Sequence, residues 1–456
     1  MTHHAHDTRP DDFGPHPHIG WIVDLHVSEA AILHDTRSVL VHASQASLSE
    51  LGRFDERIAA HLDGIAVAGD FGRERSRAAQ QDPGAGELFM GTAVALESAD
   101  QDMLRQLMAL AAARPSAQRG AFAAFGWVSG NRLRTLVPRL LSTADPLWRE
   151  IGLAACVMHR LEPGAALEAA MTATDARLRA RALRSAGECQ RRDLLPACLE
   201  ALCDDNAQCA FLAARSAVLM GERTRSLEAL SKLVLDDAQA HDGAALRLAL
   251  MFLDASEGLA LLKRVAQNRN DRRMMLRGLG AMGDVRHIDW LIGQMSDPRL
   301  ARLAGESFAL VTGCDIAREK LDREPLAPAM LTGSEAVPAT ASGDLDGSPP
   351  DGFEAGGSQD APPAERESDE DTDLPWPDEQ SIRTWWETRR ARFQPNARLL
   401  LGEVVTPAHC RRVLAVGRQG HRRMAAEYLC ALQRDKTLFP ISAPTWRQRR
   451  WLEQEV

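Results

Sequence analysis

The sequence predicts an all-α protein: a solenoid of stacked helical pairs, then a disordered acidic linker, then a small C-terminal helical module. Three observations predict it. Ala, Leu and Arg dominate, Val and Ile are sparse and Tyr428 is the single tyrosine, a composition that favours helix over sheet. A helix-forming arm recurs about every 30 residues through the middle of the chain. Beyond residue 320 the composition breaks twice, first into an acidic Pro/Gly/Ser stretch and then into an Arg- and Trp-rich one.

The chain opens on MTHHAHDTRPDDF, with His3, His4, His6, His16 and His18. Such a tract can hold a divalent metal weakly, but with so little apolar surface residues 1–18 read as a disordered, solvated tail. Residues 19–100 read as a helical region. In SLSELGRFDERIAAHLDG (47–64), Leu51, Phe54, Ile58 and Leu62 recur every three or four residues and so share one helix face. Ser47 or Ser49 suits the cap and Gly64 suits the end. DPGAG (82–86) breaks the chain before the next helix.

The array spans 101–320. Its first arms are DPLWREIGLAAC from Asp145, DARLRARALRSAG from Asp175, DNAQCAFLAARSAVLMG from Asp205, NDRRMMLRGLGAMG from Asn270 and DPRLARLAGESFALVTG from Asp297, with PSAQRGAFAAFGWV from Pro115 as an earlier member. Asp or Asn opens most of them, because a short acceptor side chain binds an unpaired N–H of the first turn. Pro146 and Pro298 fit that turn, and Gly187, Gly221, Gly283 and Gly313 fit the C-terminal cap. The longer interval between Asp205 and Asn270 leaves room for a degenerate copy. Segments such as NRLRTLVPRLLST, RDLLPACLEALC and RHIDWLIGQMS supply second helices. A pair of short helices cannot bury its apolar face alone, so copies must stack. Arg177, Arg179, Arg181 and Arg184 are expected on the wet side of their arm or lying across neighbouring turns.

Residues 321–373 are poor in large apolar side chains, and 335–373 carries twelve acidic residues against one basic residue, Arg366. Such a stretch reads as a flexible tether. The charge then reverses, with fifteen Lys and Arg against seven Asp and Glu from Glu379 to Val456. Within 374–456, Asp378 and Thr406 suit helix caps, and Ala425, Tyr428, Leu429 and Leu432 form one stripe. The stretch LPWPDEQSIRTWWETRRARF (374–393) packs three Trp and four Arg into twenty residues. Trp and Arg are enriched at binding hot spots, so Trp385, Arg389, Arg390, Trp446, Arg449 and Arg450 are the candidate partner-binding residues. The alternative is a module that uses Trp386, Phe393, Trp446 and Trp451 as its own core and Arg as its solvated face.

Two resemblances rest on these stretches. The array is similar to the short class of HEAT repeats. The terminal signatures LSELGRFDERIAAHLDGIAVAGD, LPWPD, LLLGEVVTPAHCRRVL, GRQGHRRMAAEYL and APTWRQRRW resemble an uncharacterised bacterial family of HEAT-repeat proteins often encoded beside type VI secretion genes. That resemblance implies a cytoplasmic helical solenoid with an accessory role in a secretion apparatus, and it implies no catalytic residues.

The sequence carries little that suggests chemistry. Metal-binding enzymes built on HEAT repeats share His-Glu dipeptides, which this chain lacks, and His159, His241 and His287 stand isolated. HExxH, the phosphate-binding GxxxxGK[ST] and GxSxG are absent, and GLGAMGD (278–284) falls inside a repeat helix with no strand before it. Asp204-Asp205 and Asp236-Asp237 suit caps at repeat junctions. Eight cysteines form no CxxC pair, which fits reduced, apolar thiols. No cofactor or metal is expected. The expected function is a non-enzymatic protein–protein scaffold or adaptor. The alternative is a nucleic-acid-binding HEAT-like protein whose Arg-rich arms and basic C-terminal module touch phosphates. The net charge of −9 speaks against that alternative.

Overall fold

The computed structural model describes residues 18–236, 242–269, 272–324, 371–433 and 436–454. Most of the His-rich tail, most of the acidic stretch and the expected cap Asn270 lie outside them. The chain is mostly helical, with 23 helices and one hairpin of two-residue strands among the described residues. It divides into two compact units, residues 1–41 with 49–139, and residues 42–48 with 140–456.

The first unit is built from α1 (Gly20–His42), α2 (Leu48–Val67), α3 (Gly69–Ala78), α4 (Ala85–Glu97), α5 (Gln101–Ala113) and α6 (Gln118–Trp127). In α2 the apolar spacing buries Leu51 and Ile58 completely, while Phe54 and Leu62 are half-buried. The helix runs past Gly64 to Val67, because Ile65 extends the same buried face by two turns from Ile58. Asp55 is fully buried and pairs with Arg37. The His34 ring stacks on Phe89 at 3.9 Å, and burial lowers its pKa. The chain passes through α7 (Gly130–Leu133) and α8 (Leu136–Ser142) into the second unit.

There the longer helices α9 (Pro146–His159), α11 (Ala176–Glu188), α13 (Ala207–Leu219), α15 (Asp242–Phe252), α17 (Arg272–Met282) and α19 (Ala301–Thr312) pack side by side in chain order. Between them run α10 (Ala165–Met171), α12 (Leu195–Glu200), α14 (Arg225–Asp236), α16 (Ala255–Arg269) and α18 (Ile288–Gln294). Helices α14, α15 and α16 occupy the long interval between Asp205 and Asn270.

Caps follow the sequence in part. Asp145 accepts from the N–H groups of Leu147 and Trp148, and Asp175 accepts from Leu178. In the third arm the cap is Asn206, one residue beyond Asp205, and it accepts from Cys209. Asp297 instead closes a turn before α19, accepting from Arg299 N–H at 3.1 Å. Gly221, Gly283 and Gly313 sit at positive φ past their helices. Gly187 does not end α11, which continues to Glu188. Its lack of a Cβ lets α13 approach, because a Cβ there would lie 2.5 Å from Ser216 Oγ.

The C-terminal elements are α20 (Glu379–Arg389), the strands β1 (Leu399–Leu400) and β2 (Glu403–Val404), α21 (Pro407–Val416), α22 (Gln419–Leu432) and α23 (Thr445–Gln454). The strands pair Leu399 with Val404 and Leu400 with Glu403. Asp378 caps α20 through Ser381 N–H, and Thr406 caps α21 through His409 N–H. These elements were expected to form a module of their own. Instead Ile382, Trp385, Trp386, Leu400, Val413 and Phe439 belong to the same hydrophobic core as Leu153, Leu183 and Phe308 of the array. Their apolar stripes are too short to enclose a core alone and are buried against the array.

Candidate functional site

Residues on either side of the stretch 325–370 bind each other. Arg323 N–H donates to Trp376 O and Asp378 N–H to Leu321 O, both at 2.8 Å, and Asp322 bridges Pro377. Asp371, at the end of the acidic run, is buried in a 2.7 Å ion pair with Arg273. Trp376 lies under Arg302 and Arg323, 4.9 and 5.8 Å away. The acidic stretch therefore connects neighbouring points rather than two separate bodies.

From there the chain returns along the C-terminal ends of the first-arm helices. A helix end leaves about four carbonyls without an internal partner, and this segment supplies donors to several. Leu401 and Gly402 N–H groups donate to Leu310 and Val311 O of α19, at 2.7 and 3.0 Å. Leu399 N–H donates to Gly283 O beyond α17, at 2.9 Å. The Arg398 guanidinium spans Leu250 and Leu253 O around the end of α15. Gln190, beyond α11, donates its amide to Leu219 O at 2.8 Å and to Cys430 Sγ at 2.9 Å. Leu438 N–H donates to Glu188 O at 2.8 Å. At the far end Arg160, the left-handed residue ending α9, lies 4.5 Å from the Trp451 ring and 5.5 Å from Phe439. Individually each hydrogen bond contributes about 1 kcal/mol, but leaving these carbonyls buried and unpaired would cost more.

Under this segment runs a buried ion network. Glu188, 3% exposed, takes Arg181 at 2.5 Å and Arg184 at 2.7 Å, with Arg215 3.6 Å away. Arg215 also lies 3.8 Å from Glu427 of α22, which pairs with Arg247 of α15. Burial alone would raise the Glu188 carboxyl, but the three guanidiniums outweigh it and hold its pKa at about 2. Glu427 is shifted down in the same way, burial being outweighed by Arg247 and Arg215. Arg422 is fully buried, with no carboxylate partner among the described residues. Leu414 O accepts from its Nε at 2.8 Å, and the side-chain oxygens of Gln419 and Gln448 accept from its other nitrogens. Desolvation lowers its pKa to about 10. Arg422 is one of the fifteen basic residues of 379–456, yet it lies inside the fold. The signal available was its i+3 spacing from Gln419 on a helix whose neighbours are apolar.

The six candidate contact residues fall in two places. Trp385 is buried, edge-on to Phe308 at 5.6 Å, and its indole N–H donates to Glu319. Arg389 lies 4.8 Å over that indole and 3.7 Å from Glu319. Trp385 is therefore a packing group between α20 and the array's last helix, while Arg389 is half-exposed beside it. Trp386 is buried as well, tilted against Phe393 at 5.3 Å. Arg390 is exposed on the turn after α20. Trp446, Arg449 and Arg450 lie on α23, with Trp446 43% exposed and both arginines exposed.

The wet-side arginines of the first arms are engaged too. Arg179 forks onto Asp204 at 2.7 and 3.0 Å, Arg181 and Arg184 hold Glu188, and Arg177 lies 3.9 Å from Glu150. Burial pushes the thiols of Cys156, Cys189, Cys198, Cys314 and Cys430 up to about 12, so they are inert nucleophiles at neutral pH. Among the described residues no three His, Cys, Asp or Glu side chains stand close enough to hold a metal. An open cleft of about 340 Å³ by the hairpin is lined by Arg392, Phe393, Leu399, Glu403 and Thr406, and Glu403 is already paired with Arg412. No helix among the described residues is long and apolar enough to cross a membrane. No known family, curated protein or solved structure matches the chain.

Proposed function

We propose that this chain is a non-enzymatic scaffold or adaptor. In this reading residues 101–320 are a HEAT-like α-solenoid of short repeats, and the C-terminal segment is a strap that fixes the repeats to one another. A protein partner meets the outer face of α23. The observation that carries the reading is the strap itself: a single segment hydrogen-bonds the ends of successive first-arm helices and leaves Trp446, Arg449 and Arg450 outward at its far end. A rigid surface with exposed indole and guanidinium groups is suited to binding at low entropic cost. An accessory place in a type VI secretion apparatus is the form of scaffold that the sequence resemblance implies.

The nucleic-acid reading has less support, since the first-arm arginines that would contact phosphates are held by carboxylates of the same chain.

Affinity capture from native cells tests the proposal, comparing the intact chain with the combined variant Trp446→Ala, Arg449→Glu, Arg450→Glu. The variant should keep the wild-type thermal melt and lose a reproducible set of protein partners. Retention of every partner overturns the assignment to α23. Binding of a random DNA duplex at low salt, weakening steeply as salt rises, would favour the nucleic-acid reading instead.

A further inference from the structure

Helices α1 and α2 bring two imidazoles together. His26 Nδ1 lies 3.0 Å from His61 Nδ1, and the rings meet at 61° with centroids 5.1 Å apart. Both side chains are half-buried. The contact is built from both helices. Gly64 stands inside α2, one turn beyond His61, at a place where glycine weakens a helix. The His26 ring fills the space a side chain there would take, since a Cβ at Gly64 would lie 2.7 Å from His26 Cδ2 and Nε2. One turn away, Glu29 of α1 pairs with Arg57 of α2 at 3.7 Å.

Two neutral imidazoles so placed share one proton, with one Nδ1 donating and the other accepting. Two facing ring nitrogens are also the commonest way a protein holds a transition metal. We propose that His26 Nδ1 and His61 Nδ1 form a two-histidine site for a divalent cation of the nickel(II) or copper(II) class. The separation decides the class. A metal ~2.0–2.1 Å from each nitrogen, with the nitrogens 3.0 Å apart, subtends an angle of about 91–97°. That is the cis angle of a square-planar or octahedral centre, which suits nickel(II) and copper(II), and it is too narrow for tetrahedral zinc.

The surroundings fit a weak, exchangeable site. A ligating imidazole must be neutral. Burial lowers the His61 pKa, and His26 and Arg57 act in the same direction against Glu29, so His61 is neutral at pH 7. No third His, Cys, Asp or Glu among the described residues completes the site, and Glu29, one turn from His26, is engaged by Arg57. Water therefore takes the remaining positions. The site lies apart from the contact proposed on α23 and does not depend on it.

Calorimetric titration of the full chain with nickel(II) chloride at pH 7.5 tests this. The chain carries His3→Ala, His4→Ala, His6→Ala and His16→Ala, so that the His-rich tail contributes no binding. One equivalent should bind with micromolar affinity. His26→Gln and His61→Gln should each keep the parent melt and weaken that equivalent at least about tenfold, since even an outer-shell partner is worth that much. Gly64→Ala retains both ligands but closes the slot under His26, and it should weaken binding as well. Absence of any bound equivalent overturns the proposal. So does an equivalent that survives unchanged in any of the three variants, which would place the metal elsewhere.

Discussion

Glu188 shows what a residue in this protein has to satisfy. It is buried, and its charge is tolerated because Arg181, Arg184 and Arg215 surround it. Its folded pKa of about 2 lies below the unfolded value near 4.5, so its contribution is fully present above pH 4.5 and is lost as pH falls toward 2. That difference corresponds to roughly 3 kcal/mol. Glu188→Gln should cost about 3–5 kcal/mol at pH 7, since it leaves buried guanidiniums without a counter-charge. It should also flatten the acid limb between pH 4.5 and 2 in urea unfolding. An acid limb as steep as the wild type's would contradict this. A higher window belongs to His421, whose pKa burial lowers to about 4, with Arg418 adding to it. Its unfolded form binds a proton first, so stability declines as pH falls from about 6.5 to 4. The arginines of DARLRARALRSAG were legible as a helix face, but their partners were not. Asp204 comes from the turn before α13 and Glu150 from α9, and only packing brings them within reach.

Among the elements, the hairpin and the helix ends it serves are the most exacting. Gly283 ends α17 at φ +65, and its carbonyl accepts from Leu399 N–H. A Cβ at Gly283 would collide with the Leu399 carbonyl oxygen. Gly283→Ala therefore meets both the left-handed penalty and a backbone clash, and should lower stability by about 2 kcal/mol or more in denaturant titration. A loss below about 0.5 kcal/mol would show that the hairpin does not seat as described. The glycine itself was readable as a helix stop. The strand lying against it, more than a hundred residues away in sequence, was not.

For the whole molecule the decisive feature is closure around 325–370. Both flanks are hydrogen-bonded to each other through Arg323, Trp376, Leu321 and Asp378. Replacing 327–368 with a short Gly/Ser linker should leave the thermal transition in place or raise it slightly, since a shorter loop has less closure entropy to lose, by about 2 kcal/mol. Differential scanning calorimetry reads this directly. The array and 374–456 should unfold in one shared transition, because they share one core. A separate transition for the C-terminal residues would restore the tethered-module reading.

By itself the sequence determined the helical class, most caps of the first arms and the places where composition breaks, because these depend on contacts within a turn or two. The tertiary structure decided the fate of the Trp- and Arg-rich stretch. Trp376, Trp385 and Trp386 are buried and Arg422 is enclosed, while Trp446, Arg449 and Arg450 remain outward. Indole and guanidinium groups serve equally well as core or as contact surface, and burial is set by whichever distant helix end needs covering. That need arises only once the helices have been brought side by side.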